Sequence, residues 1–286
     1  MTTTVFGASG QIGGHVARGL QASGARVRWV SRNPGTAGFP PDADMVAADL
    51  DRPETLTAAL RGAWQVFLYA KPGHRDGKEV EIESFVTAAE SAGVEHVVVL
   101  SSSTVVQVDP LNRPIPRTHA LVEAAIEASS LDWTFVRPGL FATNAVWLWQ
   151  HSIREEGIVR LPLPDALTAP VHEGDVAAVA VAAFTSPLHR GRAYVVTGPE
   201  ALTVRQQVRH IGAAIGRDIT VEVTDAGHLR AQLGKTLPSD AIEGILARWE
   251  SGNSASPDIS TSVQEVTGQP ARTFAQWAHD HAADFG

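Results

Sequence analysis

Through the first half of the chain, short β-branched runs alternate with stretches whose apolar residues recur at helical spacing. The alternation predicts strands at Thr3–Phe6, Arg26–Val30, Met45–Ala48, Gln65–Tyr69, His96–Ser101 and Trp133–Arg137. Between them, Gly13–Ser23, Pro53–Arg61, Lys78–Ala92 and Thr118–Ser129 carry the three-to-four spacing of one-sided helices. Gly24, Gly62 and Gly93 each stand just past such a stretch, where a left-handed cap is wanted. Strands alternating with crossover helices read as an α/β fold, a doubly wound parallel sheet of the Rossmann type.

Past Gly139 the pattern turns irregular, with Trp147, Trp149, Pro162 and Pro164. A strand at Ala193–Thr197, a helix at Val204–Ile215 and a strand at Ile219–Val223 are still legible. Ser251–Pro257 is small and polar and reads as a loop, and Thr273–His281 reads as a final helix. The expected division is a Rossmann-type domain over residues 1–140 and a smaller α/β lobe over 141–286. The stretch near 171–198 is expected to return to the large sheet.

The first strand runs into Gly7-Ala8-Ser9-Gly10-Gln11-Ile12-Gly13. Between a strand and a helix, Gly7 permits the tight turn, Gly10 admits a pyrophosphate to the backbone, and Gly13 lets helix and strand close up. Free amide groups opening the helix then face the anion. No Gly-Lys-Ser/Thr follows, so a nucleoside-triphosphate loop is excluded, and Ser9 lacks the glycine spacing of a hydrolase elbow. Where NAD binders place an acidic residue after the second strand, this chain has Arg32, which favours NADP(H) first and NAD(H) second. Asp49 and Leu50, closing the third strand, suit the adenine, and Asp49 equally suits a cap on the helix near Pro53.

These residues, with Ser101-Ser102-Ser103 and Thr134-Phe135-Val136-Arg137-Pro138-Gly139, resemble the atypical short-chain dehydrogenase/reductases of the NmrA-like and NADPH-quinone oxidoreductase-like branch. Val171-His172-Glu173-Gly174-Asp175-Val176-Ala177 looks like that family's opening of a late helix, and Thr267-Gly268-Gln269-Pro270 like its C-terminal turn. The resemblance implies NADP(H) held by the first turn, Arg32 and the loop residues Ala70, Lys71 and Pro72. Ser101, Ser102, His119 and Pro138 then line the cofactor. One departure changes the chemistry. Conventional members need a tyrosine with a lysine four residues on, whereas neither Tyr69 nor Tyr194 has one. Matched through Glu123, the lysine position falls on His119 and the tyrosine position on Ile115.

Ser103 and His119 remain as candidate catalytic groups, His119 as a proton donor of ordinary pKa or as a group that orients the cofactor. Phe141, Asn144 and Trp147 are candidate substrate contacts. His172, Glu173 and Asp175 read as a helix start, and His279 and His281 point to different faces, so no metal site is expected. Losing the dyad is tolerated best by a quinone-like or conjugated carbonyl acceptor, because solvent can protonate a stabilised anion. Two alternatives stand beside such a reductase: a non-enzymatic NADP(H) sensor, and a redox-neutral cyclase, dehydratase or epimerase.

Bulk composition trims the field. The 286 residues include no cysteine, which excludes disulfides, thiolate metal sites and cysteine nucleophiles. A net charge of −8 speaks against nucleic acid or an anionic membrane as partner. No apolar run nears the roughly 20 residues of a membrane span, and no leader is expected, since the first strand starts at Thr3. A cytoplasmic protein with a small-molecule substrate is expected, as a monomer or a homodimer.

Overall fold

The computed structural model describes residues 1–69, 82–106, 111, 114–235, 237 and 239–286. It divides into two compact units, the first made of Met1–Pro138, Glu173–Val196 and Ser262–Gly268. Gly139–His172, Thr197–Thr261 and Gln269–Gly286 make the second.

The first unit carries β1 (Thr2–Phe6), β2 (Arg26–Ser31), β3 (Asp44–Ala47), β4 (Ala63–Tyr69), β5 (His96–Leu100), β6 (Asp132–Pro138) and β9 (Arg192–Val196). They form one seven-stranded sheet in the order β3-β2-β1-β4-β5-β6-β9, and every neighbouring pair is parallel. The doubly wound sheet expected from the sequence is therefore present. Parallel strands are covered on both faces, which is why Val97, Val98 and Val99 are all buried in succession. One face packs under α2 (Leu56–Leu60), α3 (Ile82–Ser91) and α4 (Pro114–Glu127), with Phe6, Val66, Val99, Val122, Ile126 and Phe135 in its core. On the other lie α1 (Gln11–Ala22), α6 (Glu173–Thr185) and α10 (Ser262–Thr267). The strand order reverses between β1 and β4, both hydrogen-bonded to each other, and a crevice opens beyond their C-terminal ends. The glycine turn that follows β1 is thus placed at the switch point.

The second unit holds α5 (Asn144–Glu156), β7 (Ile158–Leu161), β8 (Leu167–Thr168), β10 (Leu202–Thr203), α7 (Val204–Ile215) and β11 (Thr220–Val223). It continues through α8 (Ala226–Leu233), α9 (Ser239–Ser254), α11 (Phe274–Asp280) and α12 (Ala282–Phe285). Its two sheets are pairs, β11 parallel to β7 and β10 antiparallel to β8. Trp149, Ile153, Leu161, Ile211, Trp249, Phe274 and Trp277 fill its core. Thr203 and Thr273 each accept a hydrogen bond from the amide three residues on while Gln206 and Gln276 reach back, so α7 and α11 both start with a capping box.

One sequence expectation is corrected here. Ser251–Ser254 is not loop but the last turn of α9. A Cβ at Gly252 would lie 2.0 Å from the Leu167 carbonyl oxygen, so this glycine lets the helix end rest on the backbone of β8. Among the described residues, no helix is long and apolar enough to cross a membrane.

Candidate cofactor-binding site

Gly7 leaves β1 with φ 68°, a left-handed conformation that costs other residues dearly. The Tyr69 ring lies over it, 2.9 Å from where a Cβ would stand. The turn closes with the Gly10 amide donating to the Gly7 carbonyl at 2.8 Å. A Cβ on Gly13 would sit 2.3 Å from that same carbonyl, so only glycine lets α1 begin so near the strand. Ala8, buried, donates its amide to Val30 at 3.0 Å and ties the turn to β2.

The start of α1 has no side-chain cap and no acidic residue in its first turn. Its first amides have no acceptor within the helix, and the helix dipole favours an anion there. Gly7, Ser9, Gly10, Gln11, Ile12, Gly13, Arg32 and Leu50 all line one cavity of about 360 Å³. Those eight sequence-derived positions are brought together. Ser31, Ala48, Phe67, Tyr69 and Leu100 share the lining and were missed by the sequence reading. For Ser31 and Tyr69 the available signal was a polar group ending an apolar strand. Ser9 and Ser31 approach each other to 3.1 Å between hydroxyls. Among the described residues no aspartate or glutamate lines the cavity, while Arg32, exposed, stands in its wall.

Burial is the main force raising the Tyr69 pKa, with Arg32 opposing it, so the phenol stays neutral at physiological pH. Asp49 does not line the cavity and caps no helix. Its carboxylate accepts the Asp51 amide at 3.2 Å in a local turn, which corrects the capping alternative. Ala70, Lys71 and Pro72 lie outside the described residues.

Beyond β5, the Ser101 hydroxyl is buried with no hydrogen-bond partner among the described residues. Ser102 accepts from the Thr104 amide at 3.2 Å and from its hydroxyl at 2.9 Å, and Ser103 opens a single 3-10 turn to Val106. His119 stands one turn before Glu123 and on the same stripe of α4 as the buried Val122 and Ile126. Its Nδ1 is buried and unpartnered among the described residues. Burial pushes the His119 pKa down to about 4, against the pull of Glu123, so the imidazole is neutral at pH 7. The expectation of an ordinary histidine pKa is therefore corrected. Glu123 is already engaged: Arg137, on β6, grips it with two bonds of 2.9 and 2.6 Å. Pro138, buried, ends that strand.

Phe141, Asn144 and Trp147 belong to the second unit. Phe141 bridges to Val171, Asn144 opens α5, and Trp147 is 60% exposed on that helix. His172 lies 3.3 Å from Asp280, and the His281 ring stacks on Trp277 with centroids 4.6 Å apart.

The residues fit a dinucleotide. A crowded glycine cradle, uncapped amides, a cationic wall and two unsatisfied buried polar atoms are what such a ligand would complete. The comparisons with known proteins agree. The chain is 37% identical to the (4-alkanoyl-5-oxo-2,5-dihydrofuran-3-yl)methyl phosphate reductase of Streptomyces griseus, over 98% of each chain. It is 34% identical to the NAD(P)H azoreductase of Xenophilus azovorans, covering 99% of this chain and 98% of that one. Its fold is similar to triphenylmethane reductase from Citrobacter sp., solved with NADP(H), at TM-score 0.81, 20% identity and coverage of 99% and 100%. Residues 7–187 match a family described as NAD(P)H-binding. The chain belongs to that NAD(P)H-binding family.

Proposed function

We propose that the chain is an NADPH-dependent reductase of small molecules whose acceptor is a quinone-like or conjugated carbonyl group. The observation that carries this reading is the cavity of the glycine turn, with Arg32 in its wall and no acidic residue among the described residues of its lining. A carboxylate there would hold both ribose hydroxyls of NAD and repel a 2′-phosphate, whereas a guanidinium attracts one. The Streptomyces relative is a reductase whose named substrate, an alkanoyl-bearing 5-oxo-2,5-dihydrofuran, is itself a conjugated carbonyl compound.

When bound, the reduced nicotinamide would supply a hydride; the chain supplies position. The amides at the start of α1 would hold the pyrophosphate, which Gly10 would admit close to the backbone. His119 is too buried to store a proton at pH 7, so its part is to hydrogen-bond to the bound ligand as a neutral ring, with the Ser101 and Ser103 hydroxyls past the end of β5 as further ligand contacts. Solvent then protonates the product anion, which suits acceptors that delocalise charge and disfavours simple ketones. Phe141, Asn144 and Trp147 are the proposed substrate contacts.

The test is NADPH consumption against a panel of quinones, acylated furanones, azo compounds and enones, with simple ketones as controls. Turnover of conjugated acceptors alone is expected. Binding of NADP⁺ with no turnover across the panel would overturn the reductase and leave a nucleotide sensor.

A further inference from the structure

The glycine turn has a second side. Where α1 faces β2, a further cavity of about 540 Å³ opens against residues 37–40. Ser9, Gly10 and Gln11 line both cavities, so only that strip of turn separates them. Trp29 and Phe39, with ring centroids 5.2 Å apart, stand in the second cavity's wall. Its cationic group is Arg18, from the second turn of α1. The Arg18 guanidinium is folded back along the helix, with both terminal nitrogens 3.4 Å from where a Cβ on Gly14 would stand. Arg18 is exposed, and among the described residues it forms no ion pair.

We propose that Arg18 is a cofactor-selecting residue, which with Arg32 brackets the ribose 2′-phosphate of NADP(H) across the Ser9–Gln11 strip. This rests on the NADPH reading above and adds a residue to it. A phosphate monoester is close to a dianion at neutral pH, so one guanidinium leaves much of its charge uncompensated. Two guanidinium forks, together with the Ser9 and Ser31 hydroxyls that lie 3.1 Å apart, offer donors enough for its three outer oxygens. Ser31 and Trp29 are two residues apart on β2 and so face the same side of the sheet, the side on which α1 and this second cavity lie. In the sequence Arg18 is inconspicuous, because a cation on the exposed stripe of an amphipathic helix is ordinarily a solvated one.

Calorimetry with 2′,5′-ADP and 5′-ADP, which differ only in the 2′-phosphate, tests the assignment without any substrate. Arg18→Gln is expected to weaken 2′,5′-ADP about tenfold and leave 5′-ADP within about twofold. Arg18→Lys should recover part of the loss, because charge returns without the fork. If Arg18→Gln binds 2′,5′-ADP as tightly as the unaltered chain, or weakens both ligands alike, Arg18 has no selecting role. A preference of the unaltered chain for 2′,5′-ADP would in that case leave the NADPH reading standing. If the unaltered chain binds both ligands equally, the NADPH reading and the Arg18 assignment fall together.

Discussion

Two buried histidines, one where the strands of the seven-stranded sheet begin and one beyond where they end, differ in how their hydrogen bonds are met. Near the edge where strands begin, His96 lies 2.9 Å from the Thr134 hydroxyl, which donates onward to the His189 carbonyl at 2.8 Å. Since that hydroxyl has one proton, the His96 Nε2–H must be the donor in the first bond. His189 in turn meets the Tyr194 hydroxyl at 2.8 Å. At the edge where strands end, the Ser101 hydroxyl and the His119 Nδ1 are left without partners among the described residues. Both histidines are buried and both are pushed down to about 4, His96 with some help from Arg190. Burial and pKa alone would class them together. Hydrogen bonding separates them: one histidine is complete as folded, and the Nδ1 of the other has no partner among the described residues, a place that the cofactor proposed above would fill.

The contrast can be broken most forcefully at the glycine cradle. Gly13→Ala places a methyl against the Gly7 carbonyl, and NADP⁺ affinity is expected to drop by at least about 100-fold, with roughly 1–3 kcal/mol lost from stability. Titration of the purified variant that retained affinity within a few-fold would move the phosphate grip away from this turn. Next comes Arg32→Ala, which should weaken NADP⁺ roughly 30-fold and NAD⁺ hardly at all. Equal losses for the two coenzymes would show that Arg32 supports the fold and does not read the 2′-position.

The histidines themselves sharpen the comparison. His119→Leu should lower kcat/KM about tenfold while the unfolding midpoint holds or rises, because an unsatisfied buried nitrogen is removed. His96→Leu should do the reverse, costing about 1–2 kcal/mol by removing the donor to the buried Thr134 oxygen and leaving kcat/KM unchanged. A stability loss at His119 with normal kinetics would erase the distinction. The smallest effect is a pH dependence. A histidine held near 4 in the folded chain and near 6.5 when unfolded makes the unfolded state the first to take up protons, so stability falls as pH drops from 6.5 toward 4. Each of the two should contribute about 1 kcal/mol of loss between pH 7 and 5.5, and His96→Leu should halve the slope measured by urea unfolding.

Legibility followed the same divide between backbone and side chain. The glycine turn could be read because phosphate binding demands a backbone that only Gly7 and Gly13 allow, and the strands could be read because Val97–Val99 are buried on both faces. From its pattern alone α6 was illegible: Val176, Ala177, Val179, Ala180 and Ala183 are buried nearly all round it, so no stripe betrays a helix. The end of α9 reads as a loop because Ser251, Asn253 and Ser254 are poor helix formers, and its packing on Leu167 is long-range information. Likewise, Tyr69 over Gly7 and Arg137 gripping Glu123 are pairings between separate elements, which local spacing cannot disclose.

The discontinuity of the first unit bears on how the molecule is made. By the time Pro138 leaves the ribosome, six strands are complete, yet β6 still offers a bare row of amides and carbonyls, because its neighbour β9 is not synthesised until Arg192–Val196. Until then the nascent sheet has an adhesive border. A fragment cut after residue 138 should therefore self-associate, and any tag or permutation that delays β9 should lower the yield of soluble chain.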